Sequence, residues 1–186
     1  MSNETPLAAS PAEPKAPVPG GDVIDELVAA NREYAAAFAS SPDRQAGGRP
    51  SRQVAVVTCM DARIDPLAVL GLRLGEAHVV RNAGGVVTDD VIRTLTISQR
   101  ALGTRAVMVV QHSACGMLTL TEDFRRDLQE EVGVRPSWAV EAFGDLDGEV
   151  RQSVERIRRS PFLAHVDQVR GFVYDVETGA LREVTA

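Results

Sequence analysis

Apolar positions in this chain follow two alternating patterns. Short unbroken apolar runs, the mark of buried strands, are separated by stretches with the three-to-four-residue spacing of amphipathic helices. Asp22 can cap a helix running to about Ser40, with Val23, Ile24, Leu27, Val28, Tyr34, Ala35 and Phe38 at helical spacing. Ser40-Ser41-Pro42 ends it, and Gly47-Gly48-Arg49-Pro50 makes a loop. Val54–Thr58 reads as a buried strand, and Asp65-Pro66 as the cap and first residue of a short helix broken up by Gly71 and Gly75. Ala77–Arg81 is a second strand, followed by the tight loop Asn82-Ala83-Gly84-Gly85, where backbone can approach a ligand. Thr88 caps a helix whose buried stripe is Val91, Ile92, Leu95 and Leu102, with Gly103 at its end.

The second half repeats the alternation. Ala106–Val110 is a third buried strand, and Thr119 to about Val132 reads as helix. Leu146, Val150, Val154 and Ile157 mark another helix, stopped by Ser160-Pro161. Phe172–Val176 and Leu181–Val184 are strands around Glu177-Thr178-Gly179, the pattern of a hairpin. Continuous apolar strands alternating with amphipathic helices predict an α/β fold: a single domain with a mainly parallel β-sheet flanked by helices on both faces. Residues 1–20, rich in Pro and Ala, form a predicted flexible tail, and 21–186 the folded domain. Ligand sites in such sheets lie beyond the carboxyl ends of the strands.

Charge narrows the function. The net charge of −6 offers no general attraction to nucleic acid or to an anionic membrane. Lys15, in the tail, is the only lysine, which argues against Schiff-base catalysis and against a P-loop. No apolar run is long enough for a membrane span. The first residues lack a basic start followed by an apolar segment, so a cytoplasmic location is expected.

Two motifs follow directly on apolar runs and contain both cysteines of the chain: Cys59-Met60-Asp61-Ala62-Arg63 after Val54-Ala55-Val56-Val57, and His112-Ser113-Ala114-Cys115-Gly116 after Val107-Met108-Val109-Val110-Gln111. Zinc favours thiolate and imidazole ligands in a tetrahedral set, and Cys59, His112 and Cys115 supply S, N and S. Three protein ligands leave a fourth position for water, which Asp61 could fill or guard. A single Cys59–Cys115 bridge is the alternative that a reducing compartment disfavours, and a Cys–His nucleophile pair would leave the second cysteine unexplained. Asp61 and Arg63 are close enough in sequence to pair, either as a structural ion pair or with Arg63 fixing Asp61 as a hydrogen-bond acceptor near metal-bound solvent. Arg81 and Asn82 are expected to organise their loop, and His78 and His165 to be structural.

At these residues the chain resembles the β-class carbonic anhydrases. Cys59-Met60-Asp61-Ala62-Arg63, Arg81-Asn82-Ala83-Gly84-Gly85 and His112-Ser113-Ala114-Cys115-Gly116 carry the resemblance, which spans roughly residues 22–186 and is strongest to the short actinobacterial branch. It implies one zinc ion per subunit held by Cys59, His112 and Cys115. Asp61 would either take the fourth zinc position in a closed form or pair with Arg63 and orient the attacking solvent. The implied reaction is reversible hydration of carbon dioxide to bicarbonate and a proton. The implied assembly is a homodimer or higher homo-oligomer whose N-terminal helix reaches over the partner. With few aromatic residues, the substrate pocket is expected to be aliphatic, with the Ala83-Gly84 backbone in its wall. The rival readings are a carbonyl sulfide or carbon disulfide hydrolase using the same site, and a non-catalytic zinc-stabilised binding protein.

Overall fold

Valine-rich runs form the centre of a five-stranded sheet in the order β2-β1-β3-β4-β5. The computed structural model describes residues 22–185, so the predicted tail 1–20 lies outside the described residues. The strands are β1 (Val54–Cys59), β2 (Ala77–Asn82), β3 (Ala106–His112), β4 (Gln168–Tyr174) and β5 (Leu181–Val184). The first four pair in parallel, and β5 runs antiparallel to β4, as the hairpin pattern predicts. The helices are α1 (Val23–Phe38), α2 (Pro66–Val69), α3 (Asp89–Arg100), α4 (Asp123–Val132) and α5 (Leu146–Arg159).

The chain divides into two units, one ending at Arg44 and one starting at Gln45. In the first, the Asp22 carboxylate accepts a hydrogen bond from the Ile24 amide at 2.8 Å and starts α1. Tyr34 and Phe38 stack one turn apart on α1, with ring centroids 5.4 Å apart. Val23, Ile24 and Leu27 of this helix are exposed.

In the second unit the strand period of two sends alternate side chains to opposite faces. Ala55, Val57, Val107 and Val109 pack with Val91 and Leu95 of α3 and Val154 and Ile157 of α5. Val56 and Val110 face the other way, toward Ile64, Val69 and Leu70 around α2 and toward Met117, Val140 and Phe143. The link from β1 to β2 therefore runs over one face, and the link from β2 to β3, through α3, over the other. The strand order reverses between β1 and β3, and a crevice opens at the carboxyl ends of two such strands.

Several boundaries differ from the sequence pattern: β1 and β2 each run one residue further, to Cys59 and Asn82, and β4 ends at Tyr174 rather than Val176. β3 continues through His112 because its pairing with β4 runs on to His112 opposite Tyr174. β4 starts at Gln168, opposite Ala106, so the polar residues ahead of Phe172 also join the sheet. α4 starts at Asp123 rather than Thr119. Residues 116–118 make a 3₁₀ turn first, and the hydroxyls of Thr119 and Thr121 take local backbone bonds to Gly116 O and from Asp123 N.

Candidate metal centre

Both predicted motifs meet at this crevice. Cys59 is the last residue of β1 and His112 the last of β3, the strand beside it. Ala114, at φ 52°, turns the chain so that Cys115 comes back beside them. The ligand atoms of Cys59, His112 and Cys115 lie within 4.8 Å of one another, and all three residues are buried. Both thiols are free.

The donor set fits a metal ion. His112 is fully buried, and its Nδ1 lies 2.9 Å from the Ser113 carbonyl oxygen. A carbonyl only accepts, so Nδ1 carries the proton and Nε2 presents a lone pair. That Nε2 is buried without a hydrogen-bond partner. A buried polar atom left unpaired costs roughly 1–3 kcal/mol, which a bound metal would offset.

The thiols are unequal. Burial pushes Cys59 up, but the His112 ring and the backbone N–H groups of Asp61 and Gly84 outweigh it and bring the thiol down to about 7. Burial pushes Cys115 up to about 11, with only the Met117 N–H acting against it among its nearest groups. Burial opposes protonation of His112, yet the Cys59 sulfur beside it, with the Ser113 carbonyl and the Asp61 carboxylate, raises its pKa overall. A divalent cation would reverse this local balance and hold both sulfurs as thiolates.

Asp61 is held by Arg63. Arg63 Nε donates to Asp61 Oδ1 at 2.9 Å and Nη2 to Oδ2 at 2.7 Å, and the Arg63 amide adds a bond to Oδ1 at 2.9 Å. Those hydrogen bonds hold the Asp61 carboxyl well below the usual carboxylate range. Its Oδ2 stands 3.7 Å from His112 Nε2, so the carboxylate borders the ligand cluster while bound to Arg63. Arg63 Nη2 also donates to the Ala114 carbonyl at 3.1 Å, linking the two motif loops.

Arg81 organises the loop as the sequence suggests, by a specific clamp: its Nε donates to Cys59 O at 3.0 Å and its Nη2 to Asp61 O at 2.8 Å. Of the two expected pocket residues, Gly84 is buried and Ala83 exposed. The open face of Gly84 meets Met117, Phe143 and Val86 side chains. Phe143 and Val140 were not singled out from sequence. They lie in a segment without helical or strand period, and only their apolar character marks them. His78 is structural: its Nδ1 bonds Ser98 Oγ at 2.7 Å, away from the cluster.

The sequence model of the carbonic anhydrase family matches residues 54–181. The β-carbonic anhydrase 1 of Mycobacterium tuberculosis is 51% identical over 164 residues, covering 88% of this chain and 98% of that protein. A carbon disulfide hydrolase of Acidithiobacillus thiooxidans is 32% identical, covering 75% of this chain and 80% of its own. Among solved structures, a carbonic anhydrase from Streptococcus mutans superposes with a TM-score of 0.79 at 37% identity, covering 89% of this chain and 99% of that one.

Proposed function

This chain belongs to the β-class carbonic anhydrases, and on that premise we propose that it is a carbonate dehydratase in which Cys59, His112 and Cys115 hold the zinc ion. The reaction is reversible hydration of carbon dioxide to bicarbonate and a proton. The observation that carries the assignment of residues is the convergence of two thiols and an unpartnered imidazole nitrogen within 4.8 Å, with the Asp61–Arg63 pair at their edge. Bound there, zinc supplies Lewis acidity that brings water to ionisation near neutral pH.

The remaining work belongs to the protein. Asp61 is ionised and therefore only accepts hydrogen bonds. Arg63 occupies both of its oxygens in a fork, so the carboxylate keeps one orientation, with a remaining lone pair for the attacking water. Carbon dioxide has no net dipole and is held by apolar contact. Val86, Met117, Val140 and Phe143 supply such a wall beside Gly84. Bicarbonate is charged and gains nothing from that wall, which favours its exit to water.

The exposed apolar residues Val23, Ile24 and Leu27 of α1 support a homodimer in which this helix packs on the partner. A monomer by light scattering at assay concentration would refute that part. Thiolate ligands persist where thiols stay reduced, which supports a cytoplasmic location. The activity test is stopped-flow hydration of carbon dioxide with zinc content measured on the same sample. Zinc-loaded protein without hydratase activity at any pH would make it a zinc-stabilised binding protein. Hydrogen sulfide release from carbon disulfide or carbonyl sulfide faster than hydration would move it to the hydrolases.

A further inference from the structure

We propose that Ser153 and Glu149 of α5 are positioning residues for the carbon dioxide pocket: they hold the peptide between Val86 and Val87, and with it the apolar wall beside Gly84. The inference rests on the reading of this site as a hydratase. Both residues act through the loop that follows β2.

That loop needs outside support. Gly84 and Gly85 have φ 77° and 65°, a backbone conformation that glycine permits but does not impose. Val86 follows directly, and its Cγ2 would stand 3.1 Å from a Cβ on Gly84, beside Met117 and Phe143. The Gly84 N–H meets the Cys59 sulfur, so the same loop borders the metal ligands. One peptide group in it is held at both ends. Its carbonyl, on Val86, accepts a hydrogen bond from Asn82 Nδ2 at 2.8 Å. Its N–H, on Val87, donates to Ser153 Oγ at 3.2 Å. Asn82 ends the strand that leads into the loop, whereas Ser153 lies 66 residues beyond Val87 and ties the loop to a helix. Fixing this peptide fixes where the Val86 side chain stands in the wall.

Glu149 sets how well Ser153 does this. The hydroxyl of a helical serine can bond the backbone carbonyl one turn back. Here it donates instead to the Glu149 carboxylate, Oε1, at 3.0 Å. The hydroxyl proton is thereby committed, and a lone pair is left for the Val87 N–H. Donation to an ionised acceptor also strengthens the hydroxyl oxygen as an acceptor in its turn. Ser153 and Val87 are each 1% exposed, so solvent does not stand in for a lost bond. A second link joins α5 to this region, from Arg156 Nη2 to Asp89 Oδ1 at 2.7 Å, just after the loop. It is an exposed ion pair and contributes little.

The test uses the full zinc-loaded chain, with zinc content and Tm measured for every variant. Ser153→Ala and Glu149→Ala each remove one member of the relay. Glu149→Gln keeps an oxygen that accepts from Ser153, and Arg156→Ala is the exposed control. Stopped-flow hydration at saturating buffer reads kcat and KM separately. In both alanine variants KM for carbon dioxide should rise roughly 3–10-fold, the factor carried by one buried hydrogen bond, with kcat nearly unchanged. The double variant should be no worse than Ser153→Ala, because the two residues act in series. Glu149→Gln should recover most of the loss, and Arg156→Ala should match the unmutated protein. Amide hydrogen exchange gives a readout independent of activity. Exchange should accelerate at the Val87 amide in the two alanine variants and stay unchanged there in Arg156→Ala. Unaltered exchange at Val87, or a fall in kcat that follows lost zinc or lowered Tm with KM unchanged, would overturn the inference. A zinc-loaded, unmutated protein without hydratase activity would instead overturn the hydratase reading, and exchange at Val87 would then decide whether the relay holds the loop.

Discussion

Replacing Gly85 with alanine should damage this site through the main chain, and its cost can be worked from two contributions. Gly85 has φ 65°. A residue with a Cβ in that left-handed region costs about 1–2 kcal/mol. A Cβ built on Gly85 would stand 2.9 Å from the Cys59 nitrogen, 2.9 Å from the Thr58 carbonyl carbon and 3.2 Å from Thr58 Cα. These are backbone atoms of β1, which is paired on both sides by β2 and β3, so no rotamer change relieves the contact. Overpacking of this kind costs about 1–3 kcal/mol. The total is about 2–5 kcal/mol, a large share of a typical stability of about 5–15 kcal/mol.

Gly103 provides the control. Its φ is 82°, yet a Cβ there meets nothing within 4 Å. Gly103→Ala therefore carries the dihedral cost alone. The difference between the two variants isolates the clash, about 1–3 kcal/mol, which corresponds to roughly 2–12 °C in Tm for a chain of this size. Urea and thermal unfolding of zinc-free protein keep metal binding out of the comparison. Because the clash falls on the Cys59 amide, chelator extraction of zinc should also be faster in Gly85→Ala than in Gly103→Ala. Equal destabilisation of the two variants, with equal zinc release, would refute the backbone-clash argument.

Other perturbations separate the roles of the remaining groups. Arg63→Lys keeps the charge but loses the fork on Asp61 and the bond to Ala114 O. Hydratase turnover should fall roughly 10–100-fold with zinc content unchanged by elemental analysis. Arg81→Gln removes the clamp on the Cys59 and Asp61 carbonyls, and zinc release to a chelator should accelerate roughly 10-fold. Burial raises the pKa of Glu149, against the Ser153 hydroxyl that donates to it. A carboxyl raised in the folded state weakens folding as pH climbs from the unfolded value toward and past the folded one. Glu149→Gln should therefore raise Tm at neutral pH and leave it unchanged below about pH 3, where glutamate is protonated in both states; a gain that persists in acid would exclude ionisation as the cause.

Much of the site was legible because its chemistry sits in short segments. Cys59 with Asp61 and Arg63, and His112 with Cys115, could be read as two half-sites, since apolar runs before each motif announce strands that end there. What joins the halves is not local. The adjacency of β1 and β3 depends on the link through α2 crossing one face and the link through α3 crossing the other, and no single segment encodes that. Arg81 illustrates the limit: its loop-organising role was foreseen, but its clamp on two carbonyls of β1 and its following turn depends on the β1–β2 register. Phe143 was missed because its segment is apolar without period, held by contact with Gly84 rather than by regular structure. The extra length of β3 has the same origin, for pairing with β4 carries it past the end of its valine run.

These long-range features fix the donor geometry through backbone rather than through the ligand side chains. Arg81 holds the carbonyls of Cys59 and Asp61, Arg63 joins the Asp61 carboxylate to Ala114 O, and Gly85 lets another turn approach the Cys59 amide. Backbone N–H groups of Asp61 and Gly84 meet the Cys59 sulfur, and that of Met117 meets Cys115. The Ser113 carbonyl fixes the proton of His112 on Nδ1. Each contact lowers the ordering that metal binding must impose, so the site is assembled by folding. The same preorganisation keeps two sulfurs adjacent whether or not zinc lies between them.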